Sequence, residues 1–147
     1  MNAERLPEPA NEMPARLSTM WVFVMLNMIF ADILSFLDPS FLRDVSTGSV
    51  GGVEITAGFL LVVAVVTEVA IAMVVLSRVL RYRLNRWTNV IAASVTIAYV
   101  ILGGSAAPHY LFFATMEVFC CGLIAWFALR WSDSSISPVA VDEARSI

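Results

Sequence analysis

Four long apolar stretches, separated by short polar connections, dominate this chain. The first runs from about Thr19 to Leu37 (TMWVFVMLNMIFADILSFL) and stops at Asp38-Pro39. The second covers about Ala57 to Leu80, the third about Trp87 to Leu102, and the fourth about Tyr110 to Trp131. Runs of about 18 or more mainly apolar residues are long enough to cross a bilayer as helices. These are apolar on all sides, without the dyad alternation of barrel strands. Gly103-Gly104 is placed to close the third helix, and Pro108 to open the fourth. The pattern predicts an all-α membrane protein, a bundle of four transmembrane helices.

Between the stretches the polar residues carry topology. All nine basic residues are arginines. Arg78, Arg81, Arg83 and Arg86 crowd the second-to-third connection, with Arg5 and Arg16 before the first stretch and Arg130 and Arg145 at the end of the last. Arg43 alone falls in a loop on the other side. The positive-inside rule then predicts cytoplasmic termini and a cytoplasmic second loop. Trp21, Trp87 and Trp131 are expected near that inner interface as aromatic anchors. Residues 1–16, rich in Pro, Glu and Ala, predict a disordered cytoplasmic tail, and residues 132–147 a polar cytoplasmic one, flanking a membrane domain at 17–131. The loop at about 38–56, with its STGSVGG run, reads as a flexible connector.

Composition narrows the function classes. At 147 residues, 59% hydrophobic and 14% charged, the chain has room for one membrane unit and no separate soluble domain of ordinary size. No basic stripe is paired with exposed aromatics, which argues against nucleic acid. Cys120 and Cys121 are adjacent and can build neither a disulfide framework nor a paired zinc motif. No cofactor or metal is expected.

Asp32, Glu68 and Glu117 interrupt the apolar stretches without a basic neighbour. A charge held in hydrocarbon is costly, so such residues mark a candidate site. Converting position to depth at about 1.5 Å per residue puts Asp32 and Glu117 in the outer half and Glu68 near the midplane. Tyr99 falls in the outer half, Asn27 near the middle of its helix, and His109 at the rim. The inner half is expected to hold few polar groups. Tyr110, Phe113, Glu117 and Cys121 share one helical face, as do Asp32 and Ser35. Protonated carboxyls bridging helices would also account for the acids, without any site.

The segments MWVFVMLNMIFADILSFLD, EVAIAMVVLSRVLRYRLNRWTNVIAASVTIAYV and PHYLFFATMEVFCCGLIAWFALRW resemble a family of small bacterial four-helix membrane proteins of unknown function. The resemblance implies the four-helix architecture and a shared set of polar positions, and no reaction. The expected function is an outward-biased acidic site that binds or transports a proton, a cation or a cationic amphiphile. Its ligand residues are drawn from Asp32, Glu68, Glu117, Tyr99, His109 and Asn27, in a homo-oligomer. One alternative is a membrane-embedded acid-base enzyme, an isomerase or cyclase acting on a lipophilic substrate through Asp32, Glu68 or Glu117. A non-catalytic membrane subunit is the second alternative.

Overall fold

Caps and prolines set the helix boundaries. The computed structural model describes residues 12–131; the expected tail at 132–147 and residues 1–11 of the one expected at 1–16 lie outside the described residues, while Glu12–Arg16, expected to be disordered, are helical. Helix α1 spans Glu12–Phe36, about two turns earlier than the apolar run, and Glu12 pairs with Arg16 one turn on. Asp38 then caps a short helix α2, Pro39–Ser46, its carboxylate accepting from the Ser40 N–H at 2.8 Å. Two two-residue strands follow, β1 (Ser49–Val50) and β2 (Val53–Glu54), paired antiparallel. Their turn uses Gly51 and Gly52, both at positive φ, a backbone that favours glycine. The connector at 38–56 is therefore ordered local structure, against the expectation of a flexible loop.

Helix α3, Ala57–Val79, starts at Thr56, whose hydroxyl accepts from the Phe59 N–H at 3.1 Å. Helix α4 spans Tyr82–Leu102 and begins five residues before the apolar run, so Arg83 and Arg86 belong to the helix and not to a loop. Helix α5, Pro108–Arg130, opens on the proline. Of the four long helices, α1, α3 and α5 are long and apolar enough to cross a membrane, and α4 is not among them by composition.

The long helices alternate in direction and pack in a ring, α1–α3–α4–α5, so α1 and α4 face each other across the diagonal. Packing is uneven along the axis. The buried residues of α3 are Ala70, Met73 and Ser77, all in its last half, and those of α1 begin at Leu17 and thin out beyond Met28. The bundle is thus closed at the arginine-rich end, where α3 meets α4, and looser at the end that carries α2 and the β-hairpin.

A buried hydrogen-bond network holds the closed end. The indole of Trp21 donates to Asn89 Oδ1 at 2.7 Å, and the Ser77 hydroxyl donates to the same oxygen at 3.2 Å. Asn89 Nδ2 donates to the backbone oxygen and the Oδ1 of Asn85, and Asn85 Nδ2 donates to the Ser77 carbonyl at 2.6 Å. Both donors and both acceptor sites of the Asn89 amide are used, as a buried amide requires. At the edge, the Tyr82 hydroxyl donates to the Trp131 carbonyl, joining α4 to α5. Two expectations fail here. The arginine-rich half is where the polar bonding concentrates, and Trp21 is fully buried instead of anchoring an interface. Trp87, by contrast, is 60% exposed.

Candidate functional site

Glu117 lies on the α5 face that turns into the bundle, with Cys120, Cys121 and Ile124 below it. It is 4% exposed, and among the described residues its Oε1 has no hydrogen-bond partner. A buried carboxyl without donors is costly to ionise and is left to find a proton or a ligand. Thr96 on α4 is buried with an unpartnered hydroxyl as well. The α4–α5 register is pinned at one end by Tyr82 on the Trp131 carbonyl, and at the other by Tyr110, whose hydroxyl donates to the Val100 carbonyl at 2.8 Å. That antiparallel register brings Thr96 and Glu117 to nearly one level, so two orphaned oxygens occupy the same layer.

Above this layer the bundle opens. Asp32 is one turn past buried Met28 and thus on the core-facing stripe of α1, yet it is exposed because the packing has loosened there. Asp32, Tyr99, Tyr110 and Glu117 all lie within electrostatic range of one another. Three of the four long helices therefore contribute to one group: a carboxyl at the floor, a second nearer the mouth, and two phenols from α4 and α5. Ser35 and His109 stand at the rim, with Ser35 Oγ 3.4 Å from His109 Nε2.

The remaining expected residues fall elsewhere. Glu68 is exposed. At about 100° per residue it sits roughly 140–200° around α3 from Ala70, Met73 and Ser77, so it points away from the bundle. Asn27 is half-buried and donates to the carbonyl of Phe23 in its own helix at 2.8 Å, outside the acidic group. Thr96 went unnoticed in the sequence, although Asn85, Asn89 and Thr96 fall four and seven residues apart, a polar stripe on one face of α4. Among the described residues, no three His, Cys, Asp or Glu side chains are gathered closely enough to hold a metal ion.

A family of unknown function, DUF6326, matches the chain over residues 7–138. The chain belongs to this family. The match takes in all four long helices, so the closed network and the open acidic end both lie within the DUF6326 region. Comparison with the curated proteins and with the solved structures finds no match.

Proposed function

We propose that this DUF6326 protein is a four-span protein of a bacterial inner membrane, with an acidic site in its outer half that takes up a proton or an organic cation. Apolar side chains exposed on every long helix, among them Phe30 on α1, Leu61 on α3, Ile91 on α4 and Phe119 on α5, support burial in lipid. The low hydropathy of α4 has a local cause. Its polar residues Asn85, Asn89 and Thr96 face the interior, whereas Ile91, Val95 and Ile101 face out. Arginines gathered at the closed end support a cytoplasmic placement of that end and of both termini.

The observation that carries the site is Glu117, buried and unbonded below Asp32 and flanked by two tyrosines, with no basic side chain in the group. A cation entering from the loose end meets phenol faces first and a carboxylate at the floor, a pairing suited to an organic cation. A proton on Glu117 and a cation beside it are alternative ways to neutralise the same carboxyl, so binding one displaces the other. An apolar groove of about 570 Å³ between α4 and α5, lined by Val100, Ile101, Tyr110, Leu111, Ala114 and Val118, shares Tyr110 with the site. It offers a lipophilic molecule a lateral path from the bilayer. That shared wall also suits the second reading, an acid-base enzyme working on a lipophilic substrate with Glu117 as the proton donor. Uptake of tetraphenylphosphonium into proteoliposomes tests the first reading. Glu117→Gln abolishes it on that reading, and unaltered uptake by a folded variant contradicts it.

We also propose a homo-oligomer through α3. Leu61, Val65, Glu68, Ala72, Val75 and Val79 repeat at alternating spacings of four and three, a coiled-coil seam on the face turned away from the core. A twofold axis along the membrane normal sets Glu68 against Glu68 at one depth, where a protonated pair can share hydrogen bonds that lipid does not provide.

A further inference from the structure

A second opening lies at the closed end, between α1 and α3, on the opposite side of the molecule's depth from Glu117. It has a volume of about 350 Å³ and is lined by Ser18, Val22, Val74, Val75, Arg78 and Val79. The Arg78 Nε donates to Ser18 Oγ at 2.9 Å, while that hydroxyl donates onward to the Val74 carbonyl at 2.7 Å. The guanidinium is thereby tethered across the groove, and its two terminal nitrogens have no partner among the described residues. Among the described residues the one ion pair joins Arg16 to Glu12, so Arg78 has no carboxylate partner, nor do exposed Arg81 and Arg83 just beyond it.

We propose that this groove is a binding site for an anionic phospholipid of the cytoplasmic leaflet. The inference rests on the membrane reading above but not on the acidic site. Polarity is graded along the groove. Arg78 and Ser18 stand at the rim, and Val22, Val74 and Val75 lie one turn deeper toward the bilayer centre, because α1 leaves the rim as α3 arrives at it. A phosphate diester at the rim accepts from the free guanidinium nitrogens, and its acyl chain follows the valines inward. A planar guanidinium fixed by its Nε presents its remaining donors to phosphate in a set orientation. Basic pockets between spans on the cytoplasmic side favour such headgroups electrostatically. A zwitterionic lipid fills the valine groove equally well but gains less at Arg78.

The test is native mass spectrometry of the full chain released from mixed micelles containing phosphatidylglycerol and phosphatidylcholine. The wild type retains phosphatidylglycerol in preference, and Arg78→Gln lowers that preference by about fivefold. Val22→Trp, which fills the groove from its α1 wall and lies outside the α3 seam, loses the retained lipid while keeping the arginine. Arg43→Gln, at the opposite end, changes nothing. Equal retention of the two lipids by the wild type overturns the proposal, as does wild-type preference in both variants. Displacement by inorganic phosphate with Val22→Trp unaffected also overturns it, in favour of a free-phosphate site. A chain that fails to partition with membranes at all contradicts the membrane reading itself, which separates the two failures.

Discussion

The indole nitrogen of Trp21 reaches Asn89 Oδ1 at 2.7 Å across one diagonal of the bundle, from α1 to α4, which are not neighbours in the ring. Through that oxygen α1 is tied to α4, and through Ser77 both are tied to α3. The contact defines the closed end, and the acidic site is the consequence of packing that stops short of the other end.

Removing Asn89 should therefore be the most damaging single change in the bundle. Asn89→Ala strands the donors of Trp21 Nε1 and the Ser77 hydroxyl and the Asn85 Oδ1 acceptor, each worth about 1–3 kcal/mol when left buried and unpaired. Trp21→Phe removes one donor and leaves half of the Asn89 oxygen's bonds, at about 1 kcal/mol. Thermal unfolding in detergent checks both. A midpoint for Asn89→Ala no lower than that of Trp21→Phe would show that the network contributes little.

Asp38 gives α2 a pH dependence. The Ser40 hydroxyl and then the Ser40 N–H bond to its carboxylate and hold its pKa below the ordinary value, with a smaller contribution from the charge of His109. A folded pKa below the unfolded one means the cap stabilises α2 fully above the unfolded value, about 3.9, and loses that contribution as pH falls through the folded value. Amide hydrogen exchange in α2 should accelerate relative to the long helices across that acid window. Asp38→Asn retains a capping oxygen but cannot titrate, so its α2 protection should stay flat. Equal acid sensitivity in both proteins would rule Asp38 out as the cause.

Glu68 separates oligomer from protomer. Pointing away from the core, Glu68→Leu should leave the unfolding midpoint of the protomer within about 0.5 kcal/mol of wild type. Self-association in micelles should weaken by about tenfold, the value of one or two interhelical hydrogen bonds in an apolar medium. Val75→Cys should form a disulfide between copies on mild oxidation, since a parallel seam puts like residues face to face. Undiminished association of Glu68→Leu would place the contact elsewhere.

The long helices were legible because continuous apolar runs leave few other solutions. Their ends were less so. Arg83 and Arg86 looked like loop residues, yet they begin α4, since nothing between Tyr82 and Trp87 stops a helix. The Asp38-Pro39 pair is a helix-start signal that could have located α2. Depth along the helices set Tyr99, Glu117 and Asp32 at similar levels, and the bundle brings them within electrostatic range of one another, but depth alone also admitted Glu68. Helix α3 is apolar all round, so its sequence carries no sign of which face packs, and only Ala70, Met73 and Ser77 in the folded bundle show that Glu68 is turned outward. Trp21 misled for a related reason. A tryptophan at the start of an apolar run reads the same whether its N–H meets a headgroup or an asparagine on the far helix.

The central claim, that a proton and a cation compete for Glu117, is tested most directly by proton release. Tetraphenylphosphonium is titrated into the purified protein in weakly buffered detergent, and binding and pH are followed together. The account predicts that the wild type binds the cation and releases up to about one proton for each bound. Glu117→Gln should do neither, and Asp32→Asn should bind more weakly while still releasing protons. Cation binding by a folded Glu117→Gln variant with the affinity of the wild type would contradict it.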